Sequence, residues 1–156
     1  MSDNSDPKQP VQVCAAVIRH QSKILLTLRP DDKKLGGYWE FPGGKIEAGE
    51  SPQFALQREL REEIDIEVSI GELLETVHYS YEWGEVIILA YACTWKSGNI
   101  KHLEVADHCW VAPENLLDYD ILAADQPIIK KLREKYSGHQ IEEKNSEHST
   151  YDSMRK

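Results

Sequence analysis

The sequence is poor in positive charge. Its 18 lysine and arginine residues face 27 aspartate and glutamate residues, which gives a formal net charge of −9. An anionic protein is repelled by nucleic acid and by anionic membrane surfaces, so we expect neither as a partner. The sequence also lacks an apolar run of the roughly 20 residues that a transmembrane helix needs. Residues 1–10 lack the basic and then apolar order of a signal peptide. These absences predict a cytoplasmic protein.

Cysteine is scarce and unpaired in the sequence. The three cysteines, Cys14, Cys93 and Cys109, are far apart and form no CxxC motif. This spacing indicates neither a disulfide framework nor a cysteine zinc site, so we expect reduced thiols. The six histidines show no catalytic spacing, and we assign them no role.

Apolar patterning divides the 156 residues into one domain with two polar ends. Residues 1–10 are expected to be a flexible lead-in, residues 11–136 an α/β domain, and residues 137–156 a disordered tail. Strands between distant helices favour a mixed β-sheet sandwiched between helices. Strands are predicted at 11–20, 23–29, 67–77 and 108–112, and two more within 77–95. Turns are predicted at Gln21 and Ser22, at Gly71 within the strand 67–77, and near Trp83 and Gly84 between the two strands of 77–95. The two helices are predicted to begin at Ser51–Pro52 and at Pro127.

The first helix has an apolar face and an acidic face. Ser51 can cap it and Pro52 suits its first turn, and the apolar face consists of Ala55, Leu56, Leu60 and Ile64. Glu59, Glu62 and Glu63 are three and four positions apart, so their like charges meet on one surface and repel. A solvated helix face is one interpretation of this cluster.

A metal site is the second interpretation of the acidic cluster. We expect Arg58 and Arg61 to point to either side of the helix, which would leave the three glutamates without a cation. Mg²⁺ or Mn²⁺ prefers carboxylate oxygens and commonly shares its ligand sphere with substrate phosphates. Gly43 and Gly44 lie ahead of the helix and permit close approach of the backbone to metal or phosphate. The residues therefore predict a metal site that receives a polyphosphate.

These residues resemble the Nudix box of the Nudix hydrolases. Gly44, Glu50, the run RELREE at residues 58–63 and Ile66 match its defining positions, and the one departure is Asp65 in place of a glycine. The segment YWEFPGGK at residues 38–45 is similar to the segment that precedes the box in MutT-like and CTP-pyrophosphohydrolase-like members. The resemblance extends over residues 11–136 and implies a Nudix-type α/β/α sandwich. Aspartate tolerates a left-handed backbone, so we expect Asp65 to lower stability without abolishing the chemistry.

The resemblance implies a Mg²⁺- or Mn²⁺-dependent hydrolase that converts a nucleoside triphosphate to the monophosphate and diphosphate and so clears damaged or non-standard nucleotides. The implied metal ligands are Glu59, Glu62, Glu63, Glu104 and the carbonyl group of Gly43. The implied catalytic residues are Glu59, which is best placed to activate water, with Glu62, Arg58 and Glu104. The implied substrate-binding residues are Arg29, Glu40, Gly44 and Asp125, and Glu50 has a structural role.

Asp125 matches the position at which MutT-like proteins read the base. An ionised aspartate only accepts hydrogen bonds, which suits the amino group of cytosine or the N1–H and N2–H₂ edge of guanine. The edge of 8-oxoguanine fits only if Asp125 is protonated, and capping the following helix is an alternative role. A hydrolase of nucleotide sugars, ADP-ribose or dinucleoside polyphosphates, and a nucleotide-sensing module without turnover, remain alternatives. A monomer and a homodimer are both compatible with the sequence.

Overall fold

A seven-stranded mixed sheet lies between two helices in the computed structural model, which describes residues 9–136. The path through the sheet is β3-β2-β1-β6-β5, with β4 paired to β1 and β7 paired to β2. The strands are β1 (Val11–His20), β2 (Lys23–Leu28), β3 (Trp39–Glu40), β4 (Gly43–Lys45), β5 (Glu67–Tyr81), β6 (Gly84–Ser97) and β7 (Asp107–Val111). The helices are α1 (Pro52–Ile64) and α2 (126–136), with short 3-10 helices at Pro113–Asp118 and Ala123–Asp125. The predicted α/β/α sandwich is confirmed.

Strand β1 divides the core into two layers. It is buried from Cys14 to Ile18 and pairs in parallel with β6. Because successive side chains of a strand point to opposite faces, one set of β1 residues packs with α1 and the alternate set packs with α2. The α1 side contains Cys14, Ala16 and Ile18 with Ala55, Leu56, Leu60 and Ile64, and the α2 side contains Ala15 and Val17 with Ile128, Ile129 and Leu132.

The ends of α1 form as the sequence predicts. The Ser51 hydroxyl accepts a hydrogen bond of 3.1 Å from the Phe54 amide, and Pro52 occupies the first helical position. Asp65 ends the helix in the left-handed conformation, with φ 60° and ψ 44°. Its amide donates to the carbonyl oxygens of Leu60 and Arg61, which closes the last turn.

The connections of the sheet differ in part from the prediction. Gln21 and Ser22 form the expected two-residue turn, both with positive φ. The turn predicted at Gly71 is wrong, because β5 continues through Gly71 with irregular pairing to β6 between Ile70 and Glu75. A bulge lets one strand follow the twist of the sheet without ending it. Strands β3 and β4 were not predicted, since each is only two or three residues long.

Three further sequence predictions concern the cysteines, membrane spans and the two polar ends of the sequence. All three cysteines are free, and Cys14 and Cys93 are buried. No helix within residues 9–136 combines the length and the apolar character of a transmembrane span. Residues 1–8 of the predicted lead-in and the predicted tail at 137–156 lie outside the described residues.

Substitution of Asp65 tests the strained end of α1. We expect Asp65→Gly to raise the free energy of unfolding by about 0.5–1 kcal/mol and Asp65→Ala to lower it, because only glycine adopts a left-handed backbone without cost. Urea denaturation at neutral pH measures both changes. Asp65→Asn controls for the exposed ion pair with Lys101, 3.2 Å long. Equal stability of the glycine and alanine variants would contradict this account of the helix end.

Candidate active site

One cavity of about 500 Å³ contains most of the residues that the sequence singles out. It lies where β4, α1, the loop after β6 and the 3-10 helix before α2 meet. Its acidic lining residues are Glu40, Glu59, Glu63, Glu104 and Asp125. Its basic lining residues are Arg29, Lys33, Lys34 and Lys45. One cavity therefore contains carboxylates that could bind a metal ion and basic side chains that could bind phosphate.

Strand β4 (Gly43–Lys45), which we call the glycine loop, lies against β1 and α1. Gly43 and Gly44 pair with Ala15 and Cys14 of β1. A Cβ atom on Gly44 would overlap the carboxylate of Glu59, and one on Gly43 would overlap the carbonyl oxygen of Cys14. At Gly43 the overlap is with backbone, so only glycine fits, whereas a side chain at Gly44 would displace the Glu59 carboxylate. The Glu59 carboxylate is therefore packed directly against the loop backbone.

Arg58 lies among the glutamates rather than to the side of them, so the predicted orientation of this side chain is wrong. Its guanidinium donates to Glu50 at 2.6 and 2.9 Å, to Glu59 and Glu62 at 3.2 Å each, and to the carbonyl oxygen of Lys45 at 3.0 Å. Hydrogen bonds from Arg58 lower the pKa of Glu50, and those bonds raise the pKa of Arg58. Glu50 thus fixes Arg58, and Arg58 ties the glycine loop to α1. By contrast, Arg61 does point away and pairs with Glu67.

Two of the helix glutamates carry destabilised charges. Burial raises the pKa of Glu59, Arg58 opposes this shift, and the charges of Glu62 and Glu104 add to it. Burial raises the pKa of Glu63 to about 8, and the charges of Glu40, Glu59 and Glu104 act in the same direction. Within residues 9–136 no lysine, arginine or histidine forms a salt bridge with Glu63. Glu63 is therefore the helix glutamate of the cavity without a directly bonded cation among these residues.

Glu62 and Glu104 have different positions at the site. Glu62 does not line the cavity, and its side chain is 49% exposed while it contacts Arg58. Glu104, which is distant in sequence, does line the cavity. The amides of Leu103 and Glu104 donate to the carbonyl oxygen of Glu63 at 3.0 and 3.2 Å. These bonds hold the loop against the C-terminal end of α1.

Asp125 occupies another part of the cavity with Arg29 and Glu40. Asp125 is 5% exposed, and its Oδ2 atom accepts a 3.2 Å hydrogen bond from the Phe41 amide. Burial raises the pKa of Asp125 to about 7, with Glu40 adding to the shift while Phe41 and Arg29 oppose it. Arg29 donates to both carboxylate oxygens of Glu40, at 3.2 and 3.3 Å. Asp125 can thus donate as well as accept a hydrogen bond near neutral pH.

Aromatic side chains and two lysines extend the cavity toward solvent. Tyr81 and Trp83 both line it, and their rings are stacked with centroids 5.2 Å apart and an angle of 7°. Lys34 lies 5.3 Å from the centre of the Trp83 ring. Sequence reasoning missed Lys33 and Lys34, although an aromatic hairpin opposite a lysine-containing loop is a visible signal.

Comparison with known proteins identifies the family. A NUDIX domain family model matches residues 8–132. The chain is 39% identical to the CTP pyrophosphohydrolase of Escherichia coli over 77% of this chain and 89% of that protein. It is 44% identical to the 8-oxo-dGTP diphosphatase of Haemophilus influenzae over 80% and 93% of the two chains. The solution structure of the E. coli ORF135 protein superimposes with a TM-score of 0.74 and 32% identity, over 84% and 94% of the two chains. The chain therefore belongs to the Nudix hydrolase family, in its MutT-like branch, whose members act on phosphoanhydride bonds.

Proposed function

We propose that the protein hydrolyses a nucleoside triphosphate to the monophosphate and diphosphate and so removes damaged or non-standard nucleotides. The observation that carries this proposal is one cavity in which several glutamates, a phosphate-suited Arg29 and a buried Asp125 meet. The triphosphate would occupy the part of the cavity near the glutamates of α1, and the base would occupy the part near Asp125. The names of the relatives from E. coli and H. influenzae support this substrate class.

Nudix hydrolases generally use a divalent metal, and the residues here fit one. The partly buried carboxylates of Glu59 and Glu63 line the cavity, and their raised pKa values show that the positive charge around them does not offset burial and repulsion. Hard oxygen donors of this kind suit Mg²⁺ or Mn²⁺, so we assign Mg²⁺ as the physiological ion. The cavity residues that would hold it are Glu59, Glu63, Glu104 and the carbonyl group of Gly43. Glu62, which lies beside the cavity, would join them by releasing its contact with Arg58. When bound, the ion neutralises phosphate charge and lowers the pKa of water.

The protein groups supply orientation and proton transfer. Glu59 is half-buried with a raised pKa, so its carboxylate is a stronger base than an exposed one and can take the proton of the attacking water. Arg58 holds this carboxylate in place through a 3.2 Å hydrogen bond. Water attacks one phosphorus atom of the anhydride between the α- and β-phosphates, the bridging P–O bond breaks, and the nucleoside monophosphate and diphosphate are released.

Base recognition is assigned to Asp125 with the stacked aromatic residues. The buried carboxyl group is held by Phe41 and is unable to turn into solvent. With a pKa near 7 its ionised form suits the cytosine amino group, and its protonated form also suits the acceptor of an oxidised purine. Tyr81 and Trp83 offer faces for stacking.

A substrate panel tests the proposed reaction. Hydrolysis with Mg²⁺ is measured by chromatographic separation of the products for CTP, dCTP, 5-methyl-dCTP, dGTP, 8-oxo-dGTP, ADP-ribose and a diadenosine polyphosphate. Release of diphosphate is measured in addition for the triphosphates. We expect turnover of one or more triphosphates, and a loss of about 10²-fold or more in kcat for Glu59→Gln because the proton acceptor is removed. Glu62→Gln is expected to lose activity as well, since Glu62 is an assigned ligand.

Glu72→Gln is the matched control for these substitutions. Glu72 is exposed and contacts Lys135, away from the cavity, so we expect wild-type rates. Turnover of ADP-ribose or diadenosine polyphosphate without turnover of triphosphates would instead place the protein with the nucleotide-diphosphate hydrolases. Tight nucleotide binding with no turnover of any compound would make it a sensing module.

The pH dependence of stability tests the buried carboxyl groups. Glu63 and Asp125 have pKa values of about 8 and 7 in the folded protein, whereas unfolded carboxyl groups ionise near pH 4. The folded state therefore retains protons that the unfolded state has released. In chelator, we expect stability to fall as pH rises from about 5 to 8, by about 1.4 kcal/mol per pH unit for each group between its two pKa values.

Chemical denaturation across this pH range, with Glu63→Gln beside the wild type, measures the effect. The glutamine variant is expected to show a shallower fall, because it has no charge to bury. Excess Mg²⁺ is expected to restore wild-type stability at pH 8 more than it restores the variant. A wild type whose stability rises with pH in chelator would exclude the assigned burial of charge.

Substitution of Asp125 by asparagine tests base recognition. Asparagine can keep the hydrogen bond from Phe41 but no longer titrates. We expect the preference between cytosine and oxidised-purine triphosphates, measured as the ratio of kcat/KM values, to change by about tenfold or more. The pH dependence of this ratio is expected to disappear. An unchanged ratio at every pH would mean that Asp125 only holds the Phe41 backbone and does not read the base.

A further inference from the structure

A second group of metal-ligating side chains lies outside the cavity. His102, Asp107 and His108 each place a ligand atom within 4.8 Å of the others, and within residues 9–136 they are the one set of three or more histidine, cysteine or acidic residues that does so. The Nε2 atom of His102 is 2.8 Å from the Nδ1 atom of His108 and 3.9 Å from a carboxylate oxygen of Asp107. Two ring nitrogens and one carboxylate oxygen therefore converge on one point.

The fold holds these three residues at the two ends of one loop. Asp107 and His108 begin β7, where His108 pairs with Thr27 of β2. His102 comes before the loop crosses the end of α1, where the amide of Glu104 is bound to Glu63. The Ala106 amide donates to the carbonyl oxygen of Leu28 at 2.9 Å, which fixes the other end. The convergence thus follows from backbone bonds rather than from the side chains alone.

We propose that His102, Asp107 and His108 form a site for a divalent transition metal, with Zn²⁺ as the representative ion. Imidazole nitrogens with one carboxylate are typical ligands of Zn²⁺, Ni²⁺ and Cu²⁺, whereas Mg²⁺ selects oxygen. The site would thus take a different ion from the cavity. Three protein ligands leave a fourth position of a tetrahedral ion for water or another ligand.

The geometry requires only a small adjustment. With Zn–N distances of about 2.0–2.1 Å, two nitrogens of a tetrahedral site are about 3.3 Å apart. The ring nitrogens, now 2.8 Å apart, would need to separate by roughly 0.5 Å as the ion replaces the hydrogen between them. The side chains of His102 and Asp107 are 39% and 57% exposed, so the ion reaches them from solvent and the rings are able to move.

Glu104 lies inside the loop that this metal would close. Ligation at His102 and at Asp107 and His108 joins the ends of the loop 102–108, which reduces the freedom of the segment between them. The binding itself does not depend on the proposed hydrolase activity, so failure of one leaves the other intact.

Zinc titration of the full chain without an affinity tag tests the proposal. Isothermal titration calorimetry is run in excess Mg²⁺, so that the cavity carboxylates are not available to Zn²⁺. We expect one equivalent of Zn²⁺ to bind, and His102→Asn and His108→Asn each to weaken binding by about tenfold or more, as even outer-shell changes do. Co²⁺ is expected to give the intense visible absorption of a tetrahedral site in the wild type and to lose it in both variants.

Two control proteins separate this site from the other histidines. His78→Asn changes an exposed histidine on β5, and a double substitution of His139 and His148 changes the two histidines beyond residue 136. Both are expected to bind Zn²⁺ as the wild type does. Binding that survives in His102→Asn and His108→Asn, or that is lost in the His139 and His148 double variant, would overturn the proposal, as would the absence of binding in the wild type.

Discussion

The hydrogen bonds of Arg58 are the interaction on which the rest of the site depends. One guanidinium contacts the carboxylates of Glu50, Glu59 and Glu62 and the backbone of the glycine loop. Glu50 accepts the shortest hydrogen bond of this guanidinium, which is 2.6 Å long. One positive charge is too little for three carboxylates, and none of it reaches Glu63 through a direct contact. The same bonds that stabilise the loop on α1 therefore leave a deficit of positive charge that a cation would fill.

The sheet determines where this deficit lies. Strand β4 pairs with β1 rather than with its neighbour in sequence, and this pairing presses the glycine loop against Cys14 and Ala15. The Glu59 carboxylate then lies directly against the backbone of Gly44. Partial burial there raises the pKa of this carboxyl group, because less water is available to solvate its charge. The fold thus keeps a costly charge in place for a ligand.

Local sequence patterns correctly predicted those features of the fold that depend on residues close together in the sequence. The limits of α1, its buried stripe, the Gln21–Ser22 turn and the interior position of β1 follow from capping, spacing and apolar periodicity. The orientation of Arg58 was not predictable from helical spacing, because Glu50, a partner from outside the helix, draws it among the glutamates.

Contacts between residues distant in sequence determine the features that local patterns did not predict. The continuity of β5 through Gly71 depends on pairing with β6, which no local pattern encodes. The convergence of His102 with His108 depends on where a loop is anchored. The position of Glu62 outside the cavity depends likewise on the packing around α1, while its spacing to Glu59 only places both on one helix surface.

Glu40 connects the two functional parts of the cavity. Its charge raises the pKa of Glu63 and also that of Asp125, and its own pKa is raised by burial against the opposing effect of Arg29. Glu40 is itself only partly exposed and is paired with Arg29, so its charge is held between the Glu63 end and the Asp125 end of the cavity. One carboxylate thus acts electrostatically on a proposed metal ligand and on the proposed base-reading residue at once.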